Sequence, residues 1–491
     1  MKMKIKTVLL ICAFIAGIFI PVACSQDTGG ADNAEDAGLI PDNITEAEPA
    51  EPESAEDLRL SIPDDLPERN FNGYEFRVIA RERDDFVQEV GADLEEIGEV
   101  INDAIYYRNA AVEERFNIKI KGTHMNMPQT AVKNAVLAGE DAYDLMLSQV
   151  VETGSTVVEG NYLDWFGLPY VNLDKPWYIN NAADTLSVNN KAYIMSGEYC
   201  LSILRFTYCK YFNKQIAADF GIPDFYTTVR NGQWTIDYVN DIVKQVHTDI
   251  NGDGVMDDQD LYGFTSDFYS AAITYQYALD NPVTRKDEHD IPQLDFYTPK
   301  MVLIVEKVYN LFFENEGALV GTWGVSGPIW NEGRAMFLNG LFWSAEDMRT
   351  SDIDYGILPY PKFDESQEQY YTMSDGAHSI MTVPTTISDP ERTGIIIEAL
   401  NAESYKRVIP PYYEIALKVK YTRDDESVQV LDMILEGRYF DFGYIYDGWK
   451  GAAFLLQDLL SSQRRDFASL YERREAAAQR HYQTIIDKYL E

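Results

Sequence analysis

At 491 residues the chain is too long for one ordinary core and long enough for two, and its 46% hydrophobic and 25% charged residues match a soluble globular protein. A formal net charge of −39 argues against nucleic acid and against anionic lipid headgroups as partners, because both need clustered Lys and Arg, and the basic residues here are scattered. Aromatic residues reach 13%, with 33 tyrosines, enough to fill a core and still offer stacking surface to a flat or ring-shaped ligand.

The N-terminus reads as an address. Lys2, Lys4 and Lys6 precede an apolar run of thirteen residues, Val8 to Ile20. At ~1.5 Å per residue such a helix is about 20 Å long, short of a ~30 Å hydrocarbon core, so residues 1–23 are predicted to be a secretory signal rather than a membrane span. Pro21-Val22-Ala23-Cys24 resembles a bacterial lipobox, with proline where the motif prefers an aliphatic residue. The resemblance implies a diacylated Cys24 and a place on the extracytoplasmic face of the cell membrane. Ser25 to Leu58 hold eleven Asp or Glu and no Lys or Arg. Residues 24–65 are therefore expected to be a disordered acidic tether, with too little apolar surface to fold. No second long apolar stretch follows. Cys200 and Cys209 are left to pair across a hairpin or to remain two buried thiols.

From about Leu66 the pattern becomes that of a folded domain. Phe76 to Ile79 predict a strand, and Ile101, Ile105, Val112 and Phe116 recur on one face of a helix. Ile118 to Ile120 give a second strand, Thr130 to Ala138 a short helix, and Tyr143 to Leu147 a third strand. This β-α-β-α-β order predicts an α/β fold with a parallel sheet, whose ligand would sit beyond the carboxyl ends of the strands, at 81–83 and 148–152. After the segment 207–214, Thr235 caps a helix with Val239, Ile242, Val243 and Val246 on its inner side. Asp354 to Pro359 read as a strand entering a loop, Asp389-Pro390 as a helix start, and the chain from Gly451 onward as helical.

Residues 249–260 have the spacing of a twelve-residue calcium loop. Side-chain oxygens fall at positions one, three, five, nine and twelve as Asp249, Asn251, Asp253, Asp257 and Asp260. Gly254 stands at the sharp turn in position six, and Val255 would offer its backbone carbonyl. Hard Ca²⁺ favours many oxygens, and these carboxylates would repel one another without a cation. An Asp rather than Glu at position twelve is one methylene shorter, and a metal-free Asp/Gly turn is the alternative. A single loop in a secreted protein suits a structural staple. The sequence has no P-loop, no His-Glu-x-x-His, no Cys-x-x-Cys and no Gly-x-Ser-x-Gly, and its five histidines lack ligand spacing.

Several further segments share an order. They are Tyr107 to Ile118, Asn231 to Thr235 followed by Asp249 to Gly263, Gly333 to Gly340 with Trp343, Gly356 to Lys362, Ser388 to Leu400, and Tyr412 to Leu435. In that order over some 350 residues the chain resembles the extracellular, family 1-like solute-binding lipoproteins of carbohydrate ABC importers, distant relatives of maltose-binding protein. The resemblance implies a two-lobe, type II periplasmic-binding-protein-like fold hinged about an inter-lobe cleft. One lobe would span 66–205 plus 372–425, and the other 206–371 plus 426–491. It implies a monomer that performs no chemistry, takes a sugar or oligosaccharide, and hands it to the importer's transmembrane subunits. Trp343 matches the position that stacks on ligand, unless it is core beneath 335–337, and Trp177 and Trp449 are further stacking candidates. Arg81 and Gln149 at strand ends, Glu198 before the lobe crossing and Asp375 after the return strand are candidate polar contacts, with a solvated surface role as the alternative. A surface-anchored lyase or glycosidase acting on polysaccharide is the competing expectation, since it would use the same Trp platforms and calcium. An adhesin would predict repeats, which the sequence lacks.

Overall fold

The computed structural model describes residues 55–491 except 180–181, 349–350, 414–424 and 448–450. The predicted signal, Cys24 and Trp449 lie outside the described residues.

The first sheet begins with β1 (Tyr74–Arg81), β2 (Ile118–Met125) and β3 (Leu145–Gln149). β1 lies between the other two and is parallel to both, pairing Tyr74 with Ile118 and Val78 with Leu145. Phe76, Val78, Ile79 and Ala80 are all buried, the continuous apolar run that a strand covered on both faces requires. The crossover from β1 to β2 includes the helix Val100–Phe116. Glu99 caps it by accepting from the Asn102 amide, and Asn117 ends it in the left-handed region. Its buried residues include Ile101, Ile105, Val112 and Phe116, the face that the spacing predicts.

The second sheet collects β4 (Tyr208–Asn213), β5 (His247–Thr248) and β6 (Leu261–Asp267). A small hairpin of β7 (Thr284–Lys286) and β8 (Pro292–Leu294) stands apart. β9 (Ala318–Gly321), β10 (Ala335–Leu341) and β11 (Tyr355–Leu358) rejoin the second sheet, whose order is β11-β4-β10-β6-β5 with β9 paired to β6. β12 (Ser379–Thr382) then returns to the first sheet, antiparallel to β3. Both sheets are open and mixed.

The chain leaves the first sheet at 205–208 and comes back at 371–379. These two crossings bond to each other, with Thr207 bridging Ser374 and the Tyr208 amide donating to the Met373 carbonyl at 3.0 Å. Residues 437–439 run beside the return crossing, where Thr372 and Arg438 form a parallel bridge. The helix Pro390–Arg407, capped by Asp389 through the Arg392 amide, packs on Val100–Phe116. The C-terminal helix Phe467–Leu490 touches elements beside both sheets.

One boundary differs from the expected tether. Ala55–Ser61 forms a helix, and the residues after it are docked rather than solvated. Arg59 lies over the Tyr405 ring, Asp64 pairs with Arg115, and Lys175 donates to the Pro63 carbonyl and the Asp65 carboxylate. Ile62 and Leu66 pack, partly buried, against the core, so the folded part begins near 55 rather than at 66. Cys200 and Cys209 are both buried and free, Cys200 at the start of the helix Leu201–Arg205 and Cys209 within β4.

Candidate functional site

A cavity of about 430 Å³ opens between the two sheets at the crossings. Its walls come from carboxyl ends of strands on both sides, where a mixed α/β sheet leaves backbone and side chains free to face a ligand. Arg83, just beyond β1, and Asp375 and Ala377, on the return crossing, form the first-sheet side. Asp267 ends β6, Asn339 to Leu341 end β10, and Trp343 with Ser344 follow. Trp323 opens the helix Trp323–Asn331 directly after β9, and Phe206 and Tyr208 come from the outward crossing.

The apolar wall is built of indoles. Trp323 is 56% exposed and Trp343 38%, large values for residues that fill cores elsewhere in this protein. Trp343 packs against Phe206 with ring centroids 5.3 Å apart, and its amide is fixed by the Arg205 carbonyl at 2.8 Å. The Trp323 indole lies over Gly327 one turn along its helix: a Cβ on Gly327 would sit 3.1 Å from its ring. Glycine there gives the indole a flat seat and leaves its surface open.

The polar groups are held in place from behind. The Tyr208 hydroxyl donates to Asp375 Oδ2 at 2.6 Å, and the Ala377 amide donates to Oδ1 at 2.9 Å. Asp267 Oδ1 accepts from the amides of Tyr269 and Ser270 at 2.9 and 2.6 Å, tying off the turn after β6. Arg83 makes two bonds to the buried Asp85, both 2.6 Å, and one to the Ala377 carbonyl at 2.8 Å. Asn339 Oδ1 accepts from Lys210 Nζ at 2.6 Å. Ammonium only donates, so this contact fixes the amide orientation and turns the Asn339 NH₂ toward Ser266 Oγ at 3.0 Å. Lys210 itself is buried among the Phe264, Tyr275, Phe337 and Tyr360 rings, and burial pushes its pKa down to about 7.

Of the sequence candidates, Trp343 and Asp375 line this cavity. Trp177 does not and is corrected: it has no exposed surface, and its indole N–H donates to the buried Glu398 at 3.0 Å. Arg81 and Gln149 bond each other at the ends of β1 and β3, and Arg81 also pairs with Glu152 at 2.9 Å, outside the cavity lining. Glu198 is likewise outside it, and burial pushes its carboxyl above the usual range. Arg83 lies within the strand-end segment 81–83 that the sequence singles out. Trp323, Asp267 and Asn339 were missed, because nothing local distinguishes a tryptophan or asparagine on the cavity wall from one in the core. Much of the tyrosine is core: Tyr199, Tyr211, Tyr275, Tyr355, Tyr360, Tyr412 and Tyr446 are fully buried.

The loop 249–260 forms the tight turn its spacing predicts. Asp249 accepts from the Gly252 and Gly254 amides at 2.6 and 2.8 Å, with both glycines at positive φ (74° and 82°) where a side chain would be strained. Asn251, Asp253 and Asp257 each accept from the amide two residues on, and Asp260 accepts from Ile250 and Asp257. The Arg334 guanidinium holds the Asp258 and Asp260 carbonyls at 2.8 Å. The donors are hard oxygens of the kind Ca²⁺ takes. Among the described residues, however, no three acidic, His or Cys side chains gather closely enough to hold one ion.

No protein-family model and no curated protein sequence matches the chain. Solved structures do match in fold. A cyclo/maltodextrin-binding protein complexed with maltotetraose superposes with a TM-score of 0.54 at 11% identity, over 86% of this chain and 98% of that one. An ABC substrate-binding protein from Listeria monocytogenes in complex with cycloalternan gives 0.50 at 12% identity, over 84% and 98%. A solute-binding protein from Agrobacterium radiobacter in complex with ribitol gives 0.51 at 14% identity, over 84% and 100%. The chain therefore has the two-lobe fold of ABC substrate-binding proteins.

Proposed function

We propose that this chain is the extracytoplasmic substrate-binding component of an ABC importer, capturing a sugar or oligosaccharide without transforming it. The observation that supports this most is the cavity at the crossings, where two part-exposed indoles face fixed polar groups. Pyranose rings present apolar faces that rest on indoles and hydroxyl edges that need oriented acceptors and donors. Asp375, Asn339 and Asp267 supply those, each held by a partner behind it. Neighbours of the same fold bind maltotetraose, cycloalternan and ribitol, which fits a polyol ligand.

The further parts of the reading rest on sequence. Cys24 would anchor the chain by a lipid outside the cell membrane, and transfer would be to the importer's transmembrane subunits. Among the described residues no helix is long and apolar enough to cross a membrane. The loop 249–260 would take one structural Ca²⁺ through Asp249, Asn251, Asp253, the Val255 carbonyl, Asp257 and Asp260. The spacing and oxygen chemistry support this. The test is calorimetry of the purified chain against a saccharide library, with product analysis of the same mixtures. Saturable binding with intact saccharide is expected; release of shorter fragments would establish the enzyme instead.

A further inference from the structure

The charges around the cavity are lopsided. Arg83 is the one basic side chain on its lining, and its charge is matched by two bonds to Asp85. Among the described residues Asp267 and Asp375 have no basic partner: their contacts are amides and hydroxyls. Among the described residues nothing donates to Asp267 Oδ2. The Tyr208 hydroxyl donates to Asp375 at 2.6 Å, and burial, with the Asp375 and then the Asp267 charge, pushes its ionisation well up. Two cations next to wall residues, Lys210 and Arg205, are committed elsewhere. Lys210 lies beneath the floor, bonded to Asn339, and Arg205 is paired with Glu346 at 3.0 Å.

On the reading that the cavity binds saccharide, we infer that it selects by charge: amino sugars over neutral sugars, and neutral sugars over uronates. An ammonium substituent would give Asp267 and Asp375 the counter-charge that the protein withholds. Beside indole walls, where the effective dielectric falls below that of water, that pairing gains strength and a like charge is repelled more. The faces of Trp323 and Trp343 also attract cations. A uronate meets two uncompensated carboxylates and an arginine already occupied.

The experiment is calorimetry of the purified chain with oligosaccharides of matched length from gluco- and galacto-configured series, each in amino, neutral and uronate form. Amino forms should bind on the order of tenfold tighter than neutral ones, as a charge-assisted bond replaces a neutral one, and uronates weaker still. The amino-to-neutral gap should narrow in about 0.5 M salt, where screening is strong. It should also narrow in Asp267→Asn, which keeps the Oδ1 acceptor of the turn. Equal affinity for amino and neutral forms, or uronates binding as tightly as neutral sugars, would overturn the charge selection while leaving saccharide binding intact. Failure of every series to bind would overturn the saccharide reading, and the selection with it.

Discussion

At the scale of residues, three tryptophans with one chemistry have separate fates. Trp323 and Trp343 keep exposed surface beside the cavity, while Trp177 spends its indole on Glu398 inside the core. Trp323→Ala and Trp343→Ala should each weaken saccharide binding by roughly tenfold, since an aromatic contact contributes about 0.5–1.5 kcal/mol beyond its buried area. Trp177→Phe should leave affinity alone and lower stability by about 1–3 kcal/mol, the cost of stranding a buried acceptor. Titration calorimetry and denaturant melts of the same proteins separate the two effects, and a Trp177→Phe protein with lost affinity and unchanged stability would contradict this division. Lys210 makes a second residue-scale case. Its folded pKa is pushed below the unfolded value by burial, so below about pH 7 both states are protonated and the burial penalty is complete. Above that the folded state sheds the proton first, and stability rises until the unfolded lysine also titrates, near its ordinary value of 10.5. Lys210→Met should lack this rise in stability between about pH 7 and 10. It should also weaken binding, because Asn339 loses the bond that orients it. Denaturation midpoints flat with pH in both proteins would refute the assignment.

Elements differ in how much of them could be read before folding. The helix Val100–Phe116 was legible because its buried residues follow one period, and Asp389 because a cap acts on the amide three residues on. The turn at 249–260 was legible for the same reason: its side-chain-to-amide bonds run within twelve residues. β12 was not, since its pairing with β3 is formed by residues more than 200 positions apart. The docked start of the domain was missed too, because Asp64 meets Arg115, and Pro63 and Asp65 meet Lys175, only in the folded chain. That segment gives a prediction of its own. A chain beginning at residue 66 should melt several degrees below one beginning at residue 55, having lost the Arg59, Pro63 and Asp64 contacts. Equal midpoints would mean these contacts contribute nothing, as exposed ion pairs often do. For the calcium loop, Asp249→Asn should abolish a chelator-sensitive rise in melting temperature, because it removes the carboxylate that would open the ion's coordination. A melting temperature indifferent to Ca²⁺ and chelator in the parent chain would leave the loop a metal-free turn.

For the whole molecule, the cavity was foreseeable in place but not in membership. Strand ends are readable from sequence, so Arg83 falls in an anticipated segment. Which strand end faces which depends on the crossings, so Trp323 and Asp267 stayed hidden until two sheets were set against each other. The crossings are where a bend between the sheets would have to fall. The sheets are joined by short segments at 205–208 and 371–379 that bond to each other and, through Thr372, to residues 437–439, and Asp375 and Ala377 on the cavity wall belong to the second. Bending there would swing Arg83 and Asp375 toward Trp323 and Trp343, closing the walls on a ligand. Gly376 lies between those wall residues, where any Cβ would come within 2.4 Å of the Tyr444 hydroxyl and 2.6 Å of Val151. Small-angle scattering should show a lower radius of gyration with saturating saccharide than without. Gly376→Val should abolish that change and cut affinity, because the added side chain wedges the return crossing away from Tyr444 and displaces Asp375. A variant that still binds and still contracts would place the bend elsewhere. A parent chain that binds tightly with no contraction would mean the cavity is already closed when empty.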